Sequence, residues 1–203
     1  MNADIKFLKK QNFKMLIDIG ANNGDYALHL KNLFKIPNVL CFEPLPHCSA
    51  PLKEKGFEVF SLALSSFKGH GEFIINSYDA ASSLYSLTEI TTSEWPEVSE
   101  QEVIHVNLDC LDNYLEKIKT PLLIKIDAQG AEAEIIDGGN KVLSEASVIL
   151  IECCFVPLYK NQPLFHEIHY RLSKLDFIFA GIKMQYVGKD GMPLFAHLIY
   201  TQL

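Results

Sequence analysis

The chain has 203 residues, 48% of them hydrophobic and 21% charged, with 18 lysines and arginines against 25 aspartates and glutamates for a formal net charge of −7. Such a chain folds as a globular unit that buries roughly 70% of its unfolded surface, and disordered, collagen-like and coiled-coil classes are excluded. The acidic balance offers nucleic acid or anionic lipid no long-range attraction, and Lys125, Asp127 and Glu152 interrupt the apolar segments before any reaches the roughly 18 residues of a membrane span.

Lysines at 6, 9, 10 and 14 leave no room for a signal-peptide core. The five cysteines are odd in number, lack C-x-x-C spacing and sit mostly in strand-like contexts, which fits buried thiols in a reducing cytoplasm. One domain is expected over 1–203, with 1–13 as an N-terminal extension. Met15–Ile19 is an apolar run ending in glycine, followed by Tyr26, Ala27, Leu30, Leu33 and Phe34 at helical spacing: strand, glycine turn, helix. Val39–Phe42 reads as the next strand, then Pro44 and Pro46, a short helix through Leu52 stopped by Gly56, and a strand over Phe57–Leu64. Strand–helix alternation of this kind favours a parallel sheet with right-handed crossovers.

Gly71–Asn76 reads as an additional strand, and the Ser-, Thr- and Glu-rich 77–101 segment as an irregular loop or lid over a site. Alternation resumes with Glu102–Leu108 as strand, Leu111–Ile118 as helix, Leu122–Asp127 as strand and Ala131–Asp137 as a helix stopped by Gly138-Gly139. Ser147–Glu152 is a further strand. Phe165, Ile168, Leu172 and Leu175 mark an amphipathic helix, and Phe177–Ile182, a Lys189-Asp190-Gly191 turn and a strand around His197–Tyr200 close the chain as an antiparallel hairpin.

Gly20 and Gly24 lie four apart where the first strand enters the first helix, a turn whose backbone can approach a ligand closely. The turn is neither G-x-G-x-x-G nor a P-loop, and Asp18 before it suits an ammonium rather than a pyrophosphate. Asp18 is expected to face that ammonium, and backbone N–H groups at the helix start to face a carboxylate. Tight packing is the competing explanation of the two glycines. Glu43 ends the second strand, 25 residues after Asp18, where an acidic side chain binds both hydroxyls of a ribose. Ammonium, carboxylate and ribose together describe S-adenosylmethionine.

Three segments, LIDIGANNGDYAL at 16–28, CFEP at 41–44 and IKIDAQGAEAEIIDGG at 124–139, resemble the FkbM-type methyltransferase family, as do ALSSFKGHGEFII at 63–75 and ASSLYSL at 81–87. The resemblance implies a Rossmann-like class I methyltransferase fold, with a mostly parallel central sheet and helices on both faces. It implies metal-independent methyl transfer from S-adenosylmethionine to an oxygen of a small-molecule or glycosidic acceptor. Carried onto this chain, it places Gly20, Ala21, Asn22, Gly24, Tyr26, Glu43, Pro44, Ala63, Leu64 and Asp127 at the cofactor. The family pattern has an acidic residue where this chain has Gln129, which donates and accepts hydrogen bonds but cannot act as a base.

In an open parallel sheet, Asp18, Glu43, Asp127 and Glu152 all reach the carboxyl rim of the strands. Asp127 is the first choice for orienting or deprotonating an acceptor hydroxyl and Glu152 the second, a contribution of roughly 10²–10⁴-fold. Capping the helix near Gly130 is the alternative task for Asp127. Glu132 falls in that helix's first turn, where the dipole favours it, and Lys125 is expected to have a partner carboxylate if buried. His166 and His169 are three apart on a helix without a third ligand, so a solvated or substrate-facing pair is expected rather than a metal site. Trp95 is expected to anchor the 77–101 loop, with Tyr78 and Tyr85 free to stack on an acceptor. Alternatives to O-methylation of a small acceptor are an RNA or protein methyltransferase, a cofactor-binding module without catalysis, and an NAD-dependent oxidoreductase. No nucleic-acid partner is expected, and oligomeric state is not readable.

Overall fold

A computed structural model describes residues 5–202 of the chain. Of the expected N-terminal extension, Ile5–Gln11 forms a 3-10 helix and residues 1–4 lie outside the described residues. The first strand, β1 (Met15–Ile19), is buried at all five positions, as its unbroken apolar character requires for a strand covered on both faces. Helix α1 (Asp25–Phe34) turns Ala27, Leu30 and Phe34 inward and ends where Lys35 takes left-handed backbone. Then follow β2 (Asn38–Phe42), α2 (Ser49–Glu54) and β3 (Glu58–Phe60).

The expected single strand over Phe57–Leu64 is two. After Phe60 the chain turns, with Leu62 N donating to Phe60 O, and β4 (Ala63–Leu64) leaves for a second sheet with β5 (Gly69–Asn76) and β6 (Glu100–Asp109). An edge strand whose side chains are exposed or half-buried has little apolar area to hold it straight. The 77–101 segment is more ordered than its composition suggests: it contains a 3-10 turn at Asp79–Ala81 and helix α3 (Glu89–Glu94), and Ser83 exchanges backbone hydrogen bonds with Ile74.

Leu111–Lys117 is 3-10 helix, and β7 (Leu122–Ile126), α4 (Glu132–Asp137), α5 (Asn140–Ser144) and β8 (Ala146–Cys154) follow. Helix α5 was not expected. Gly138 and Gly139 stop α4 as expected, with Gly138 as its C-cap and Gly139 before α5, and side chains there would collide with Ser65 O and with Leu111. The chain closes with α6 (Phe165–Ser173), β9 (Phe177–Val187) and β10 (Pro193–Gln202).

The main sheet has the order β3-β2-β1-β7-β8-β10-β9, and within it only β10 runs against its neighbours. Helices cover both faces. Leu111, Ile135, Leu143, Ile168 and Leu172 pack on one, and Leu8, Leu30, Leu52 and Ala27 on the other. Each fully buried leucine or isoleucine among them contributes roughly 1.5–3 kcal/mol. This is the expected Rossmann-like architecture, a mostly parallel sheet with helices on both faces and an antiparallel closing hairpin. The order reverses between β1 and β7, so a crevice opens beyond their carboxyl ends.

Candidate active site

That crevice is a cleft of about 480 Å³, within the range of small-molecule sites. One side is formed by Gly20, Ala21, Asn22 and Tyr26, the other by Glu43, Pro44, Ala63 and Leu64, and Asp127 stands between them. Asp18, Gly24 and Glu152 lie behind the wall instead.

The two glycines serve the chain's approach to itself. A Cβ on Gly20 (φ +72°) would stand 1.9 Å from the Asp127 carbonyl oxygen, and one on Gly24 (φ +81°) 2.5 Å from Leu52 Cδ2. The amides of the turn itself, from Gly20 to Asp25, are bonded within the chain. Gly20 and Ala21 donate to Phe42 O, Gly24 to Ala21 O, Asn23 to Asn22 Oδ1 and Asp25 to Asn23 Oδ1. The Asn22 amide donates to Glu43 Oε2 at 2.6 Å, and Leu45 N to Glu43 Oε1 at 2.9 Å. One donor on each oxygen fixes the Glu43 carboxylate and leaves further lone pairs for a diol.

Asp18 is fully buried and does not line the cleft. Its register neighbour on β7 is Lys125, whose Nζ lies 3.1 Å from Asp18 Oδ1 and 3.7 Å from Asp127 Oδ2 and donates to Gly20 O at 2.6 Å. The expected carboxylate partner of Lys125 is thus found. Burial works against this ammonium, but the charges of Asp18 and then Asp127 outweigh it and hold its pKa above the ordinary lysine range. The 3.1 Å approach is an ion pair without hydrogen-bond alignment: neither oxygen of Asp18 has an aligned donor among the described residues, and the Tyr26 hydroxyl is also without a partner there.

Asp127 does not cap α4; the cap residue is Ala131, which has no capping side chain. The Ala128 and Gly130 amides turn to Glu132 instead, each within 3.0 Å of one of its oxygens. Asp127 Oδ1 accepts from Gln129 Nε2 at 2.5 Å, and the same amide lies 3.4 Å from Glu152 Oε1. Gln129 has left-handed backbone (φ 52°), its carbonyl accepts from Ser83 Oγ at 2.6 Å, and its Oε1 accepts from the Tyr159 hydroxyl at 2.7 Å. An acidic side chain here would crowd a third carboxylate between Asp127 and Glu152; the amide is a neutral donor to both. Burial would raise Asp127, yet the charges of Lys125 and His197 and the Gln129 bond together hold its carboxyl below the ordinary value. Glu152 moves the other way, raised by burial and then by the charge of Asp127.

The sequence reading missed two residues of this wall. His197 on β10 is paired in register with Glu152, and its Nε2 lies 3.3 Å from Glu152 Oε2. Lys183 occupies a bulge, because His197 pairs with Met184 and Leu198 with Ile182; a bulged residue is freed from the ladder and its side chain re-aimed. Its Nζ lies 4.3 Å from the centre of the Tyr26 ring, and burial depresses its pKa. No local motif announced either residue, because antiparallel register and a bulge put them there. The first part of the 77–101 segment, including Tyr78, Ser82 and Leu84, covers the cleft. Its later part packs away, with Trp95 against Tyr186 at 5.4 Å as an anchor. Tyr85 donates to Glu134 at 2.6 Å.

Asp127, Glu152 and His197 each offer a ligand atom within 4.8 Å of the others, a separation a divalent cation could bridge. The Gln129 amide already occupies the space between the carboxylates, and Lys125 supplies their counter-charge. His166 is exposed while His169 meets the Tyr200 hydroxyl at 3.1 Å, so that pair does not converge. All five cysteines are free, and Cys153 and Cys154 are buried.

The methyltransferase FkbM domain model matches residues 18–179. The chain belongs to the FkbM methyltransferase family. The 2-O-methyltransferase NoeI of Sinorhizobium fredii is 27% identical over 161 residues, which cover 73% of this chain and 66% of NoeI. The crystal structure of methyltransferase FkbM from Methylobacillus flagellatus superposes with a TM-score of 0.58 at 14% identity, covering 92% of this chain and 44% of that one. The chain therefore spans slightly less than two thirds of the first relative and under half of the second. The FkbM family uses S-adenosylmethionine, and the cleft fits it: a buried, doubly anchored carboxylate at Glu43, apolar walls at Phe42, Leu62 and Leu64, and an ionised Asp127. Among the described residues no helix is long and apolar enough to cross a membrane.

Proposed function

We propose that this chain acts as one methyltransferase domain that transfers a methyl group from S-adenosylmethionine to an oxygen, a hydroxyl or carboxyl, of a small-molecule or glycan acceptor, without a metal ion. When bound, the cofactor supplies a sulfonium methyl group that needs no further activation. The observation carrying this reading is the juxtaposition, in one cleft, of Glu43 beyond β2 with Asp127 beyond β7. NoeI is named for 2-O-methylation, which supports oxygen as the acceptor atom.

Glu43 would hold the ribose diol, with Asn22 N and Leu45 N fixing its carboxylate beforehand. Pro44, Ala63 and Leu64 would flank the base. Asp127 is kept ionised by Lys125 and therefore suits the cofactor's ammonium better than it suits proton abstraction. Asp18 acts from below through Lys125, which ties the glycine turn to β7. The 78–84 cover and Tyr78 would exclude water and position the acceptor, whose in-line alignment supplies most of the acceleration.

Titration calorimetry with S-adenosylmethionine and a tritiated-methyl transfer assay over a panel of methyl glycosides and hydroxy acids test the reading. Saturable binding with methyl release into one acceptor class is expected. A cofactor that does not bind overturns it; binding with transfer to transfer RNA or protein instead would move the acceptor to that class.

A further inference from the structure

Resting on the oxygen-methylation reading, we propose that His197, oriented by Glu152, is the catalytic base that takes the acceptor hydroxyl proton. Of the ionisable groups beyond β7 and β8, Glu152 lies behind the wall with its side chain only 8% exposed, and the carboxylate of Asp127 is engaged by Gln129 and Lys125. The imidazole of His197 both lines the cleft and reaches Glu152, at 3.3 Å through Nε2. An Nε2–H directed at that carboxylate leaves the Nδ1 lone pair to accept a proton, the arrangement in which a buried acid selects a tautomer and stabilises the cation that forms.

The step balances within this assignment. The acceptor oxygen forms its bond to the methyl carbon as the S–C bond breaks, and that bond's electron pair stays on sulfur. The hydroxyl proton passes to His197 Nδ1, and the imidazolium is held by Glu152. The products are the methyl ether, S-adenosylhomocysteine and a proton that His197 later gives to water.

The charges around the ring agree with this role. Glu152 of β8, Asp127 beyond β7 and Lys183 of β9 face it most closely, and Lys125 of β7 and the Tyr159 hydroxyl lie in the next layer. Burial favours the neutral ring, but the bond to Glu152 and the charge of Asp127 outweigh it, against the opposing Lys183, and set His197 above its ordinary value. A base so raised is stronger than a free imidazole.

His197→Gln and His197→Ala are compared with wild type for turnover, cofactor affinity and pH profile, using methyl glycosides as acceptors. Turnover is expected to fall roughly 10²–10⁴-fold in both, while the calorimetric Kd for S-adenosylmethionine stays within about threefold. The wild-type rise in rate with pH should vanish in His197→Gln, and added imidazole should restore part of the His197→Ala rate. A His197→Gln enzyme with near-wild-type turnover, or one whose lost turnover is matched by lost cofactor affinity, overturns the proposal. Failure of cofactor binding in the wild type would instead sink the underlying reading. Independently of turnover, the His197 ring proton resonance should titrate above 6.5 and move down in Glu152→Gln; a titration indifferent to Glu152 overturns the pairing.

Discussion

The two walls of the cleft are built differently. The wall proposed for the cofactor, from the glycine turn to Glu43, is local: its parts lie within about one strand–helix–strand unit, and their amides and carboxylates satisfy one another through short-range bonds such as Asn22 N to Glu43. The opposite wall is assembled from distant pieces. Lys125, Asp127, Gln129, Glu152, Lys183 and His197 meet only because β7, β8, β10 and β9 are adjacent in the sheet. A contiguous motif fixes the first wall, whereas the second depends on register, a bulge and strand order.

The sharpest break of this contrast is Gly20→Ala, because the turn is where the two walls touch. With φ at +72° and a carbonyl oxygen 1.9 Å from the new Cβ, the substitution is expected to cost about 4 kcal/mol or more, read as loss of the cooperative urea transition. A folded variant of ordinary midpoint would show that the walls are not rigidly joined. Lys125→Met comes next. It strands the buried Asp18 charge and should cost about 3–5 kcal/mol, whereas Lys125→Met combined with Asp18→Asn should recover much of it. If the double variant is no more stable than the single, the pair is not what joins β1 to β7.

Glu43→Ala tests the cofactor wall alone. Its expected effect is about 1.5–3 kcal/mol, a ten- to hundredfold weaker Kd for S-adenosylmethionine by calorimetry, and unchanged affinity would remove Glu43 from the ribose. The mildest test addresses the opposite wall. Burial and then the charge of Glu152 push Glu132 up to about 8, so the folded protein keeps a proton that the unfolded chain has released. The resulting stabilisation is complete below the ordinary glutamate range and is lost as pH rises toward that raised value. Glu132→Gln should flatten the decline of Tm between about pH 5 and 8. An identical slope would mean that Glu132 is ionised throughout.

The same division explains what could be read from sequence. Strand–helix alternation, the glycine turn and Glu43 were legible because their signals are local and their order follows from right-handed crossovers. For Gly20 and Gly24 the sequence leaves close approach to a ligand and tight packing both open, because a glycine reports crowding and does not say which atom crowds it; Asp127 and Leu52 do so here. Asp18 is expected at the rim but lies behind the cleft wall, where Lys125 one strand away meets it. His197 was legible as a strand residue and no more, since its partner Glu152 is 45 positions earlier in the chain and the register between β8 and β10 has no sequence signature. The division of Phe57–Leu64 into two strands turned on sparse burial at the sheet edge, which apolar composition alone does not disclose.

The reversed strand β10 follows all the others in the chain and nevertheless inserts between β8 and β9. During synthesis, β1, β2 and the glycine turn leave the ribosome long before the segment bearing His197, so the wall around Glu43 is made before the wall that His197 completes. On the proposal above, completion of the hairpin is the step that brings the proton acceptor into the cleft.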